Sequence, residues 1–398
     1  MSATDRPVWI TGVGLVSCVG EGEAHHAADL GGQPPMLDCS DPAPYARYRF
    51  PPFAFEPQIP KKVDQRQMAQ CQRLGTYAAG LALAFAGLKG RQDLLEALDI
   101  IATTTGGERD LAVDTAALAG LPGAADTAAF LNDTLMNGLR PTFFLGQLPN
   151  LLAGNIAMVH GVGGSARTVL GEESAGADAV GLGFRRVAGG QSDLALVGGA
   201  CNGERRDLLL FLVAAGQALT ADAPAVFARE AHGGGVALGS LGAFLVLESA
   251  DHAQARGAPP LARLTEVLSE AAPRDAAARA ASLDALWAQV APRVDLHHTA
   301  ILSGATGAEP ATGLERRWLM RHADLPMRAT GTHVGHGIQA QFPLNVAIAA
   351  LLLRRRALFP ACGPLERDVA PDHALKQVVV TGIGRKYGEG MALLEAVP

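Results

Sequence analysis

Two short segments hold side chains whose types and spacing could do chemistry. In Glu172-Glu173-Ser174-Ala175-Gly176, two carboxylates precede a serine at the head of a run of small residues. Ser174 invites a nucleophile reading, but the strained G-x-S-x-G elbow needs glycine where Glu172 stands. Glu173 has three readings. An acid at a helix N-terminus is favoured by the macrodipole, by about 0.3–1 kcal/mol, without doing chemistry. A buried carboxylate needs a partner, and Arg385, Lys386 and His336 are the candidates. A direct chemical role is the third. His333 and His336 lie three residues apart among glycines, with no carboxylate or third ligand beside them, which favours structural histidines over a metal site. Cys18, Cys39, Cys71, Cys201 and Cys362 are scattered and never form a C-x-x-C pair, so neither a disulfide framework nor a zinc site is predicted, and a reducing compartment is expected. Cys71 and Cys201 read as small buried apolar residues.

Such groups need a large scaffold, and the composition supplies one. The chain has 398 residues, 48% hydrophobic and 18% charged, which supports a large core and excludes disorder. A net charge of −6, with no basic run beyond Arg354–Arg356, argues against nucleic acid and anionic membrane surfaces as partners. The best apolar run, Val346 to Leu353, falls short of the ~20 residues a membrane span needs. Val8 to Gly20 follows Asp5 and is interrupted by glycines, so it reads as a buried strand rather than a signal segment.

Continuous apolar runs predict strands at Val8–Thr11, Asp99–Ala102, Ala166–Leu170, Leu194–Val197, Ala300–Leu302 and Gln377–Thr381. Three-to-four periodicity or small-residue runs predict helices over Gln65–Leu88, Pro149–Val159, Glu172–Val187, Ala277–Val290 and Leu344–Arg355. Gln33–Pro60 is a Pro-rich surface excursion, and Gly234–Leu238 with Ala243–Glu248 reads as a hairpin-like pair. Two echoes suggest an internal duplication: Ile10–Gly14 with Val380–Gly384, and Asp99–Gly106 with Thr299–Gly307. Gly12, Gly14, Gly198, Gly199, Gly382 and Gly384 are expected at strand ends facing a site.

In this order the segments resemble the β-ketoacyl-acyl carrier protein synthases of the thiolase fold. Val8–Gly14 looks like the opening V-x-I-T-G-x-G, and Phe143–Ala153 is similar to F-F-x-P-x-x-x-x-N-x-x-A. Ala179–Ala200 follows the family's helix-turn-strand ending in L-A-G-G-A, and Phe244–Gly257 matches L-V-L-E-x-x-x-H-A-x-A-R-G. The resemblance implies an α/β chain with duplicated βαβαβαββ halves, residues 1–250 and 251–398, in an αβαβα five-layer sandwich.

At the positions that carry the family's chemistry the sequence departs. Glu173 stands where the resemblance places the nucleophilic cysteine, Ser303 at the first histidine, and Gly331 at the lysine. His336 retains the second histidine. Gly382–Gly388 matches the C-terminal loop without its gating Phe. The resemblance therefore implies a degenerate, non-catalytic subunit of the chain-length-factor or ketosynthase-beta kind. Such a subunit would form a cytoplasmic heterodimer with a Cys-bearing ketosynthase and shape the elongation tunnel in polyketide, aryl polyene or fatty-acid-like synthesis. No cofactor is implied. The acyl carrier protein would be a partner and its phosphopantetheine thioester the substrate of the complex. A malonyl-carrier decarboxylase for priming and an acyl-binding homodimeric scaffold are the alternatives. Family dimers join at the edge strand matching Ala166–Leu170.

Overall fold

Strands buried on both faces form the centre of the structure. The structure, a computed structural model, describes residues 6–28, 30, 33–139, 143–270, 275–368 and 374–397. Among the described residues five main strands build one half, β1 (Val8–Ser17), β2 (Asp99–Thr104), β3 (Ala166–Leu170), β4 (Leu194–Cys201) and β5 (Leu241–Ser249), and the two-residue strand Gly20–Glu21 pairs beside the end of β1. The other half holds β6 (Ala262–Glu270), β7 (Thr299–Ser303), β8 (Met327–Ala329), β9 (Gln377–Ile383) and β10 (Glu389–Glu395). Their lateral order is 3-2-4-5-1 in the first half and 8-7-9-10-6 in the second. Both run parallel, parallel, antiparallel, antiparallel across the four pairings. The same topology thus occurs twice, and β1 pairs with β6 to join the halves.

Helices complete the layers. On the outer face of the first half lie α1 (Gln70–Phe85) and α2 (Leu151–His160). Between the halves lies α3 (Glu173–Ala188), packed on β2 and β4 from one side and β6 from the other; α4 (Arg206–Ala214) follows β4. On the far face lie α5 (Ala276–Val290) and α6 (Ala311–Arg321), while α7 (Gln341–Arg355) joins α3 in the central layer, against β5 and β9. Among the described residues one large apolar core fills both faces of the central helix layer, and two more lie between each sheet half and its outer helices, as expected for an αβαβα sandwich.

The predicted strands and the central helix are present, and four expectations change. The helix expected over Gln65–Leu88 is two, Lys62–Gln67 and α1, because Met68 and Ala69 are extended and the Gln72 side chain caps the Ala69 N–H at 3.1 Å. The expected hairpin is absent. Leu238–Gly239 pairs instead with Arg47–Tyr48 in a separate two-stranded sheet, since Gly233, Gly234 and Gly235 at φ +85°, +79° and +139° carry the chain out of an extended path. Of the two echoes, Asp99–Gly106 and Thr299–Gly307 occupy equivalent places, the second strand of each half and its exit. Ile10–Gly14 and Val380–Gly384 do not, lying in the first strand of one half and the fourth of the other.

Four of the glycines expected to face a site, Gly12, Gly14, Gly198 and Gly199, are packing positions, whereas Gly384 opens the turn that carries Arg385. A Cβ at Gly14 would lie 1.9 Å from Ala78 O of α1, and one at Gly198 2.1 Å from Ala243 O. They let backbones approach, which explains why similar Gly-containing strings recur at inequivalent places.

The Phe244–Gly257 motif also has a structural basis. Glu248, fully buried at the end of β5, accepts hydrogen bonds from Thr11 Oγ1 (2.7 Å) and from Arg256 Nε and Nη2 (2.6 and 2.7 Å), and meets His252 Nδ1 at 2.5 Å. Arg256 Nη1 also donates to Ala86 O (2.8 Å), so one cluster ties β1, α1 and β5 together.

Candidate functional site

Small residues let α3 carry its N-terminus into the middle of the molecule. A Cβ at Gly176 would meet Gln339 O at 2.4 Å, and one at Gly183 would meet Val197 Cγ2 at 2.5 Å, so neither position tolerates a side chain as placed. The first residue of α3 is Glu173, 7% exposed. Its Oε1 lies 3.0 Å from His336 Nε2 and 3.9 Å from Arg385 Nε, and Oε2 has no hydrogen-bond partner among the described residues. Burial alone would raise this carboxyl's pKa. The hydrogen bond and charge of His336, a backbone N–H and Arg385 outweigh burial and hold it below the ordinary value. Glu173 is therefore a carboxylate at neutral pH. It can only accept, so the shared proton belongs on His336 Nε2. Of the three partners expected for Glu173, His336 and Arg385 are in place, and Lys386 instead lies 4.2 Å over the Phe211 ring.

Arg385 comes from the turn between β9 and β10, which is closed by Gly384 N donating to Gly388 O (2.7 Å). Gly388, at φ +89°, sits against Ser174, where a Cβ would come within 2.5 Å of the serine Cβ. Arg279 of α5 fixes the root of this turn by donating to Gly384 O and to Glu389 Oε1. From there Arg385 reaches Glu172 Oε1 (2.7 Å) and Gln217 Oε1 (2.8 Å), with its guanidinium 4.8 Å from the Phe211 centroid. A cleft of about 490 Å³ opens beside it, walled by Leu170, Glu172, Arg205, Phe211, Ile338 and Arg385. Ile338 adopts φ +46°, a strained value for a β-branched residue, directly after the loop that carries His336.

Ser303 and Gly331 belong to a neighbouring network rather than to the Glu173–His336 pair. At the end of β7, Ser303 Oγ donates to Glu315 Oε1 (2.8 Å), and Thr381 Oγ1 donates to the same oxygen (2.5 Å). Glu315 is fully buried, and desolvation, outweighing those two hydrogen bonds, raises its pKa. Asn345 Nδ2 links Ser303 O (3.3 Å) to Thr330, whose hydroxyl donates to Asn345 Oδ1 (2.6 Å). Gln341 continues the chain, donating to Thr330 Oγ1 (2.9 Å) and accepting from Gly337 N–H (2.9 Å). Gly331 lies beside this network with Ala305 O 3.2 Å from its would-be Cβ.

The two histidines of the glycine-rich segment do not share a partner. His333 faces Phe359 at 5.5 Å between centroids, and burial, helped by Arg328, lowers its pKa to about 4. Cys71 and Cys201 are buried, and burial pushes the Cys71 thiol up to about 12. Glu315 and the Glu172–Arg385 pairing are the site features that sequence reading missed. The Glu172-Glu173 doublet was the available signal for the second, and local spacing carried none for the first.

This arrangement, a helix head held between two copies of one α/β topology and opening to a cleft, defines a thiolase-like ketosynthase fold. The β-ketoacyl synthase N-terminal domain family matches residues 39–253, and the chain belongs to it. A curated relative, 3-oxoacyl-[acyl-carrier-protein] synthase 2 of Rhizobium meliloti (strain 1021), is 31% identical over 208 residues, 51% of this chain and 45% of that protein. The match thus spans about half the length of that relative. Among solved structures, the ishigamide ketosynthase/chain length factor superposes with a TM-score of 0.79 at 19% identity, over 99% of this chain and 100% of that one. A β-ketoacyl synthase from Burkholderia phymatum STM815 gives 0.76 at 18% identity, with the same coverage. A type II PKS ketosynthase bound to a hexaketide, in complex with its acyl-carrier protein, gives 0.73 at 16% identity, again over 99% and 100%. These likenesses show the fold.

Proposed function

We propose that this chain is a catalytically degenerate ketosynthase subunit of the chain-length-factor type, paired with a Cys-bearing β-ketoacyl synthase that performs the condensation on carrier-bound chains. The observation that carries the proposal is Glu173. At the head of the central helix stands a carboxylate, tied to His336 and attended by Arg385. Its attack on a thioester would give a mixed anhydride, higher in energy than the starting acyl group. The positions that would stabilise a developing oxyanion are equally committed, His336 to Glu173 and Ser303 to Glu315. That weighs against the malonyl-carrier decarboxylase reading as well. Residues 1–250 and 251–398 are the proposed halves, and the tunnel shared with the partner is this chain's contribution.

The edge strand β3 supports the pairing. It is bonded to β2 on one side and is half-exposed, with Leu170 59% accessible. A partner strand there would cover an edge that otherwise invites aggregation. Among the described residues no helix is long and apolar enough to cross a membrane.

Co-expression with a Cys-bearing ketosynthase encoded beside it tests the reading. A heterodimer that elongates a malonyl-carrier substrate is expected, and Glu173→Ala in this subunit should leave its rate within about tenfold. Glu173→Cys should not restore condensation by this chain alone. Two separate homodimers, or carbon dioxide release from malonyl-carrier by the isolated protein that His336→Ala abolishes, would overturn it.

A further inference from the structure

Glu173 and His336 are almost fully buried, yet an open cleft of about 490 Å³ begins one residue away, at Glu172. The guanidinium of Arg385 forms the wall between them. It lines the cleft while its Nε approaches Glu173 from behind, and its residue is 3% exposed. Beyond the longer 3.9 Å ion pair of its Nε with Glu173, three contacts hold it there: the ion pair with Glu172, the hydrogen bond to Gln217 and the ring of Phe211. They tie the β9–β10 turn of the second half to α3, α4 and the segment after α4 in the first. The turn's root is pinned by Arg279, so Arg385 can swing from a fixed base.

We propose that Arg385 is an ion-paired seal that closes the cleft off from the head of α3, and that its release is what exposes position 173. Glu172 is the labile side of the seal, since its side chain is 28% exposed whereas that of Arg385 is 2% exposed. An ion pair whose arginine is shielded from water is strong enough to hold the closed arrangement as the main population, and removing it shifts the balance toward the open one. The seal depends on charge as well as bulk, because the contact with Glu172 is electrostatic. It is a property of this chain's own side chains and does not rest on the partner reading. Failure of the seal and failure of heterodimer formation are therefore separate results.

A thiol placed behind the seal reads it directly. Glu173→Cys removes the 3.9 Å ion pair with Arg385 but keeps the contacts with Glu172, Gln217 and Phe211, and its alkylation by iodoacetamide, followed by digestion and mass spectrometry, separates the thiol at position 173 from the five native cysteines. In the Glu173→Cys protein, labelling at 173 should be slow. Adding Arg385→Met, which keeps length but not charge, should accelerate it by about tenfold, and Glu172→Gln by a smaller factor in the same direction. Unchanged labelling in both double variants, with melting temperatures close to the parent, would overturn the seal. Acceleration by Arg385→Ala but not by Arg385→Met or Glu172→Gln would overturn its ionic character. Should Arg385→Met fail to fold, the Glu172→Gln comparison decides alone.

Discussion

Replacing Glu315 by glutamine should remove a loss of stability that the native protein suffers as pH rises. Glu315 is fully buried, accepts two hydroxyl hydrogen bonds on Oε1, and has no partner for Oε2 among the described residues. Desolvation, the dominant effect, raises its pKa above the ordinary 4.5, against the smaller lowering by Thr381 and Ser303. Below about pH 4.5 folded and unfolded chains both hold the proton, and the group's contribution is fully present. Above it the unfolded chain ionises while the folded one keeps its proton. Stability then falls by about 1.4 kcal/mol per pH unit until the folded carboxyl ionises too. Glutamine has the same shape and cannot ionise. Its Oε1 can take both hydroxyls, and its amide occupies the place of the unpartnered Oε2, so at pH 4 the exchange should cost within about 1 kcal/mol. Urea unfolding midpoints of the two proteins from pH 4 to pH 9 provide the test. The expected result is near equality at pH 4 and a growing advantage for Glu315→Gln above it. A difference that stays constant with pH, or grows in favour of the native protein, would refute the account of a desolvated acid.

Three further outcomes follow from buried charges elsewhere. Arg256→Met leaves Glu248 buried without its main counter-charge and should cost about 3–5 kcal/mol in urea unfolding, much of which Glu248→Leu in the same chain should return. Burial lowers His26 to about 4 from 6.5, so it contributes stability at neutral pH that is lost as pH falls from 6.5 toward 4. The total is about 3 kcal/mol, and His26→Gln should flatten that part of a pH–stability curve, as followed by circular dichroism. Glu173→Gln should melt closer to the native protein than Glu173→Leu, because the amide oxygen still accepts the His336 proton whereas leucine strands a buried donor at about 1–3 kcal/mol. The reverse order would mean that the His336 contact does not hold the site together.

The sequence is most readable where burial is simplest. Strands such as Leu194–Val197 are apolar on both faces, so a continuous run reports them, and the small residues of Glu172–Val187 mark a helix that must lie deep. Glu173 could be assigned a buried partner for the same reason, since a carboxylate at such a place cannot stand alone. What could not be read rests on contacts between distant residues. Ser303 is turned to Glu315 by burial and topology, and Arg385 crosses 168 positions to Gln217. Gly12, Gly14, Gly198 and Gly199 misled because a close backbone approach and a turn facing a site ask for the same residue. The L-V-L-E-x-x-x-H-A-x-A-R-G resemblance was legible as a pattern, but its cause, one buried carboxylate clamping two strands and a helix, needed Thr11 and Ala86 to be seen beside it.

The repeated topology has a consequence for how such a protein loses or keeps an activity. Each half contributes one helix between its third and fourth strands, so the molecule contains two comparable helix heads, beginning at Glu173 and at Gln341. Gln341 closes its own head with neutral groups, the Thr330 hydroxyl and the Gly337 N–H, and so asks nothing of the rest of the protein. Glu173 carries a charge and therefore recruits a histidine and an arginine from the opposite half. The silent head is self-contained, whereas the one beside the cleft is indebted to its twin. A change at position 173 is then felt across the join between the halves, and the same change at 341 would stay local.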